Sequence, residues 1–283
     1  MLKAMVIRNL KLFFRDKAAV FFSLLGVLII IFLYILFLGT LVMEMARGFS
    51  DVVARFFTDS WVMAGVIAST SMTTCLGGFG IMVEDKALDI AKDFESSPIP
   101  RSILILSYVI ASIIIGLVMS IFTFLLGELY IVLYGGEFLS LQAMLKALGI
   151  IVLTVGASSA MVFLLVTSVK SANAFGTLST LIGTLIGFLT GVYVPIGNLP
   201  EFIQNVIKIF PISHAAAALR QVMMAEAIPL EHVPVDTRIF MGVQFEFGGE
   251  IMQLWGHVAV LIGTLVVFYI LSVIMTSTRK SKS

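Results

Sequence analysis

Residues 84–101 read EDKALDIAKDFESSPIPR. Glu84, Asp85, Asp89, Asp93 and Glu95 place five of the chain's 17 carboxylates within a dozen positions, although 59% of the 283 residues are hydrophobic and only 12% are charged. Apolar runs flank this island at about 61–83 and 103–127, and each exceeds the ~20 residues that a helix needs to cross a bilayer. The acid cluster is therefore a polar loop between two spans. A soluble chain of this size cannot hide so much apolar surface, so the protein is integral to a membrane.

Working outward, further apolar runs at about 18–43, 147–169, 174–194 and 251–276 bring the expected spans to six. The first is too long for the ~7–15 residue core of a signal peptide and is read as an anchor. Orientation follows from Lys and Arg, since basic residues collect on the cytoplasmic side. With the N-terminus inside, Lys3, Arg8, Lys11, Arg15, Lys17, Lys86, Lys92, Arg101, Lys170, Arg279, Lys280 and Lys282 face the cytoplasm, against Arg47, Arg55, Lys146, Lys208, Arg220 and Arg238 outside. Both termini and the 84–101 loop are expected in the cytoplasm, in a multi-pass protein of the plasma membrane. Residues 1–17 alternate Leu2, Met5, Val6, Leu10, Phe13 and Phe14 with basic residues at helical spacing, which predicts an amphipathic helix in the headgroup layer.

The segment after the fifth span carries two short helical patterns. In LPEFIQNVIKIF, Phe202, Ile203, Val206, Ile207 and Phe210 share a face, and ISHAAAALRQVMMA follows Pro211. Both are too short to span, which predicts re-entrant or interfacial helices. An outer loop follows over 227–250, and the alternation at Phe245 and Phe247 suggests a short hairpin in it.

Several chemistries are missing. No G-x-x-x-x-G-K-[ST] occurs, so the chain has no P-loop for ATP. His214, His232 and His257 are scattered and Cys75 is alone, which argues against a metal site and leaves no intrachain disulfide. GASS at 156–159 has no partnered His and reads as helix packing. There is no basic tract for nucleic acid. Glu128 is the only carboxylate near a span's interior and is expected in water at the outer interface, as is His257 beside Trp255. A carrier driven by ions needs buried acids, so a stand-alone ion-coupled transporter or channel is the alternative reading rather than the first. A membrane-embedded enzyme, the third, finds no catalytic constellation.

Small residues do recur. Ser179, Gly183, Gly187 and Gly191 repeat every four positions, which suits close helix packing or a dimer interface. Ser69, Thr70, Thr73 and Thr74 lie on adjacent lines of the second span, where hydroxyls bond back to their own helix, line a path for an amphipathic substrate, or do both. On a helical wheel, residues 84–95 put Ala87, Ile90, Ala91 and Phe94 on one face and Asp85, Asp89 and Asp93 on another. One reading is a solvated loop; the other is a docking helix for a second protein, with Glu84, Asp85, Lys86, Asp89, Ile90, Lys92, Asp93 and Phe94 as its contacts.

The run GVYVPIGNLPEFIQNVIKIFPISHAAAALRQVM, 191–223, resembles the late segment of type-2 ABC transporter permeases, the membrane subunits of ATP-binding-cassette exporters. Gly191, Pro195, Leu199-Pro200, Pro211-Ile212-Ser213-His214 and Arg220 carry the resemblance, and Ser97-Pro98-Ile99-Pro100-Arg101 is similar to the close of the family's loop between spans two and three. The basic N-terminus and six spans agree with it, whereas about 226–250 has no counterpart in the pattern. The resemblance implies an all-α permease with six transmembrane helices, a coupling helix within 84–100 and a re-entrant pair of helices over 198–226, marked by Pro200, Pro211, His214 and Arg220. It implies two cytoplasmic ATP-binding-cassette ATPase subunits as partners, a second permease copy in a homodimer, and membrane lipid around them. The chain itself would bind no cofactor, with ATP and Mg held by the ATPase. It would export an amphipathic or hydrophobic cargo, such as a drug, antibiotic, peptide or lipid-linked molecule.

Overall fold

The computed structural model describes residues 1–34, 50–95, 99–169 and 171–278. The described chain is helical apart from its loops and one two-stranded hairpin. In chain order the α-helices are α1 Leu2–Arg15, α2 Lys17–Leu33, α3 Asp51–Ala87, α4 Ile90–Glu95, α5 Arg101–Leu133, α6 Leu141–Ser168, α7 Ala172–Leu189, α8 Glu201–Ile209, α9 Pro211–Ala227, α10 Val235–Phe240 and α11 Leu254–Thr278. Five of them, α3, α5, α6, α7 and α11, are long and apolar enough to cross a membrane. α2 is the described part of the span expected at 18–43, whose residues 35–43 lie outside the described residues. An all-α membrane fold is thus what the chain adopts.

α3 is the axis of the bundle. Its most apolar stretch is 83% buried within the chain, against 11% for α7 and 17% for α11. α5, α9, α6, α7 and α2 all pack on it. Shielded by protein over most of its surface, α3 tolerates hydroxyls that a lipid-facing helix would not, and it begins ten residues before the run expected at 61–83. At 1.5 Å per residue its 37 residues reach about 55 Å, well beyond a hydrocarbon layer of ~30 Å. The extra length projects two acids at its ends, Asp59 and Asp85, each almost fully buried by neighbouring helices. Asp59 accepts a 2.6 Å bond from Tyr34 and pairs with Arg55 at 3.6 Å. Buried acids do therefore flank the spans. They escaped the hydropathy pattern because it stops at a charge, whatever that charge is paired with.

Close helix approach explains part of the glycine content. A methyl group at Gly116 on α5 would sit 2.7 Å from Cys75 Sγ and 2.8 Å from Val155 Cγ1, so α3, α5 and α6 converge there. Gly116→Val is expected to cost about 1–3 kcal/mol through overpacking. Thermal unfolding of the detergent-solubilised protein checks this, and an unchanged midpoint would show that the three helices part easily.

α1 departs from expectation in its surroundings. Met5, Val6, Asn9 and Phe13 are buried against protein, with α5, α3 and α2 as neighbours. Asn9 Nδ2 donates to Ser107 Oγ on α5 at 3.3 Å. The apolar stripe is thus spent largely on the bundle, leaving Ile7, Leu12 and Phe14 exposed.

At the opposite end of the bundle, α8 and α9 meet at Phe210–Pro211 with a bend of 85°. Proline suits the first turn of α9 because no intrahelical donor is needed there. The expected hairpin exists: Glu246–Phe247 pairs antiparallel with Glu250–Ile251. Gly248 and Gly249, both with positive φ, make the two-residue turn.

Candidate functional site

The 84–101 loop is not the single helix that its wheel suggested. Residues 84–87 are the last turn of α3, Leu88 and Asp89 form a turn, and α4 restarts at Ile90. Asp89 adopts φ 60°, a left-handed conformation that Asp tolerates better than most residues. This break destroys the i, i+4, i+8 alignment of Asp85, Asp89 and Asp93. Lys92 stands on α4, but its side chain lies outside the described residues, as do residues 96–98.

Asp85 turns inward while its neighbours stay outside. Arg8 on α1 grips it through two bonds, Nη1 to Oδ2 at 2.6 Å and Nη2 to Oδ1 at 2.8 Å, and Tyr108 on α5 donates to Oδ2 at 2.5 Å. A bidentate guanidinium–carboxylate pair fixes orientation as well as charge. The bond to Asp85 holds the Arg8 guanidinium above its ordinary range, so it stays charged. Its carbon also lies 5.2 Å from the centre of the Phe94 ring on α4. One arginine thereby ties α1, the end of α3, α5 and α4 together. Asp85 is thus an internal strut, a correction to its place in the expected docking stripe. Glu84, Lys86, Leu88, Asp89 and Asp93 are exposed, and Ile90 and Phe94 half-buried. Leu88, an apolar side chain, is 70% exposed at the turn. Beside the turn a cleft of about 480 Å3 opens between α1 and α3, with Arg15, Asp16, Glu84 and Ile90 among its lining.

The second centre lies at the far end. Arg220 of α9 is fully buried and makes no ion pair among the described residues; its partners are carbonyls. Nη2 donates to Thr190 and Gly191 at 2.9 and 3.2 Å, Nη1 to Gly242 at 3.3 Å, and Nε to Trp61 at 3.3 Å. The guanidinium also stacks 4.6 Å from the Trp61 ring centre. Trp61 Nε1 donates to Met241 O at 2.7 Å and Gln221 Nε2 to Val243 O at 2.8 Å. Three successive carbonyls, 241 to 243, thus receive one side chain each from α3 and α9.

The model of the ABC-2 type transporter family matches residues 1–224. The chain belongs to the ABC-2 type transporter family. No curated protein matches it in sequence. As an ABC-2 permease it is a membrane subunit of an ABC transporter, of a family without ATP-binding motifs of its own that associates with an ABC ATPase. The match takes in the Arg8–Asp85 junction and Arg220, and it ends before the carbonyls at 241–243.

Other expected positions in the permease are separated by the structure. Thr70 and Thr74 are buried and bond back to the carbonyls of Val66 and Thr70, at 2.8 and 2.7 Å. Ser69 donates to Gly65 O and meets Thr190 Oγ1 at 2.9 Å, so it joins α3 to the end of α7. Only Thr73 is half-exposed, and it too bonds back to its helix. All four hydroxyls therefore bond back to their own helix, and Thr73 alone of the four reaches the helix surface. The small-residue stripe also divides. Gly183 is open, with nothing near an added methyl, whereas Gly187 is covered by the Tyr193 ring of the same chain. Ser179 is half-buried on α7, and Gly191 lies beyond that helix with φ 66° beside Arg220. Pro200 caps α8 and Pro211 opens α9.

Two residues expected in water are inside. Glu128 is 3% exposed and accepts from the Leu139 amide at 3.1 Å. His257 is fully buried and its Nδ1 lies 2.9 Å from Nδ1 of His214. Sequence reasoning passed over Arg8 and Tyr108 as site residues, because nothing local connects them to an acid 77 or 23 positions away.

Proposed function

We propose that this permease is the membrane half of an ATP-driven exporter, and that the Leu88–Asp89 turn with α4 is the surface its ATPase pushes. The observation that carries the reading is the Arg8 junction: a protruding, acid-flanked turn is braced at once to α1, α3, α4 and α5. A displacement of the turn is then delivered to the axial helix and two of its neighbours, rather than absorbed by a loop. In this arrangement both termini and the turn face the cytoplasm, where ATP and Mg are held by two ATPase subunits.

The bend at Phe210–Pro211 makes α8 and α9 a re-entrant pair at the outer end, held by Arg220. A second copy of the chain covers α7, whose Leu181, Leu185 and Phe188 are exposed along with Gly183. The cargo is amphipathic or hydrophobic, since the spans are apolar and the chain is only 12% charged.

Replacing Asp89 and Asp93 together with Arg, alongside Leu88→Glu in a second variant, tests the docking surface. Both are expected to lower recovery of the ATPase with the permease and the transport-linked ATPase rate by tenfold or more, with the permease still folded. Unaltered recovery and rate in both variants would place the docking surface elsewhere.

A further inference from the structure

The histidine pair is not used by any of this. His214 of α9 and His257 of α11 are both buried, and their Nδ1 atoms are 2.9 Å apart. Nε2 of His214 lies 2.8 Å from the carbonyl of Lys208 at the end of α8. A carbonyl only accepts, so that nitrogen carries the proton and a neutral His214 presents a bare Nδ1. His257 must then carry its proton on Nδ1 and donate it to His214. Its own Nε2 is left as a bare nitrogen, buried and without a hydrogen-bond partner among the described residues, and the Met252 carbonyl stands beside the ring as a backbone acceptor. Phe245 of the hairpin stands edge-on to both rings, at 5.0 and 5.2 Å between centres, and Phe247 stacks parallel to His214 at 6.5 Å.

We propose that this pair is a proton-sensitive latch, holding the re-entrant helix to the last span and the hairpin when both rings are neutral, and releasing them in acid. The neutral pair has one N–H···N bond, and its geometry accommodates no further proton at Nδ1. A proton on His214 Nδ1 would set two N–H groups against each other. A proton on His257 Nε2 would create a buried cation edge-on to the Phe245 ring, a cost that the Met252 carbonyl beside the ring offsets only in part. Such a charge is costly away from water, whereas an opened imidazole takes its proton in solvent. The charged residues on the packed elements offer no relief. Lys208, Glu246 and Glu250 flank the rings on α8 and the hairpin, and Lys146 stands on α6; Glu246, Glu250 and Lys146 are exposed and Lys208 is half-buried. On α9, Arg220 is committed to carbonyls and Glu226 to Ser140. The latch is intact above the ordinary imidazole range of about 6.5 and is lost as pH falls below it. This reading is independent of where the ATPase docks.

Hydrogen exchange of residues 244–262 in the purified full chain, corrected for the intrinsic pH dependence of exchange, tests it. Opening is expected to rise about ten- to a hundredfold per pH unit below ~6.5, for one or two protons taken up. His257→Phe should flatten that rise. A rise of equal slope in His257→Phe, or none in the wild type, overturns the proposal. If the variant fails to fold, histidine nitrogen resonances of the labelled wild type decide, since the chain has only three histidines. At pH 7.5 His257 should be protonated on Nδ1 and His214 on Nε2; any other assignment, or an unchanged pair at pH 5.5, overturns it.

Discussion

Arg220→Met is expected to destabilise the permease by about 3–5 kcal/mol, because several buried carbonyls lose their donor at about 1–3 kcal/mol for a group left unsatisfied. Ordinary domains have only ~5–15 kcal/mol in hand, so this is a loss of most of the folded population under mild stress. The carbonyls of Thr190, Gly191, Gly242 and Trp61 stay where they are, and methionine offers them no donor. Arg220→Lys should recover less than half of the loss. An ammonium is a compact point charge that cannot span four acceptors or stack flat on Trp61. Chemical unfolding in detergent gives the ranking, and limited proteolysis gives the place: cleavage should appear first within 228–253, whose attachment depends on these bonds. Equal stability of the methionine variant and the wild type would refute the anchor.

The second large effect belongs to the strut. Asp85→Ala leaves Arg8 without its carboxylate and the Tyr108 hydroxyl without an acceptor, each loss worth about 1–3 kcal/mol, with Arg8 at the low end because its side chain is 28% exposed. The larger consequence is functional. The turn loses its brace while its exposed surface is untouched, so the ATPase should still be recovered, with transport per ATP hydrolysed falling by about tenfold or more. Arg8→Met should fail in the same way, and the double variant should be no worse than Asp85→Ala alone, since that change already removes the link to Arg8. Additive defects would mean that Arg8 and Asp85 act separately.

How far these centres could be read in advance depends on the range of the interaction that makes them. The spans, the bend at Pro211 and the hairpin at Gly248-Gly249 rest on periodicity, proline and glycine, which act within a few residues. The docking segment was half legible. Its acids and its place between spans were plain, but the wheel assumed an unbroken helix, and the left-handed Asp89 ends that assumption. Nothing near Asp85 in sequence distinguishes it from Asp89, because the arginine that claims it is on the first helix. His214 and His257 likewise reveal themselves only when α9 and α11 are side by side. Charge and polarity at a helix end report exposure only when no distant partner exists, and here Asp59, Asp85, Glu128 and His257 all have one.

The three carbonyls at Met241, Gly242 and Val243 carry an implication for how this segment can evolve. Trp61, Arg220 and Gln221 grip main-chain oxygens, and every amino acid supplies the same oxygen. At 241 and 243 the identity of the residue is therefore nearly irrelevant to the grip, whereas Gly242, with φ 65° and Ile196 filling the place a β-carbon would take, is fixed. What the segment cannot absorb is a change in spacing. One inserted or deleted residue between Pro234 and Gln244 would offer each donor the wrong oxygen, so this stretch is held to one length, while Met241 and Val243, both buried, are held only to apolar side chains.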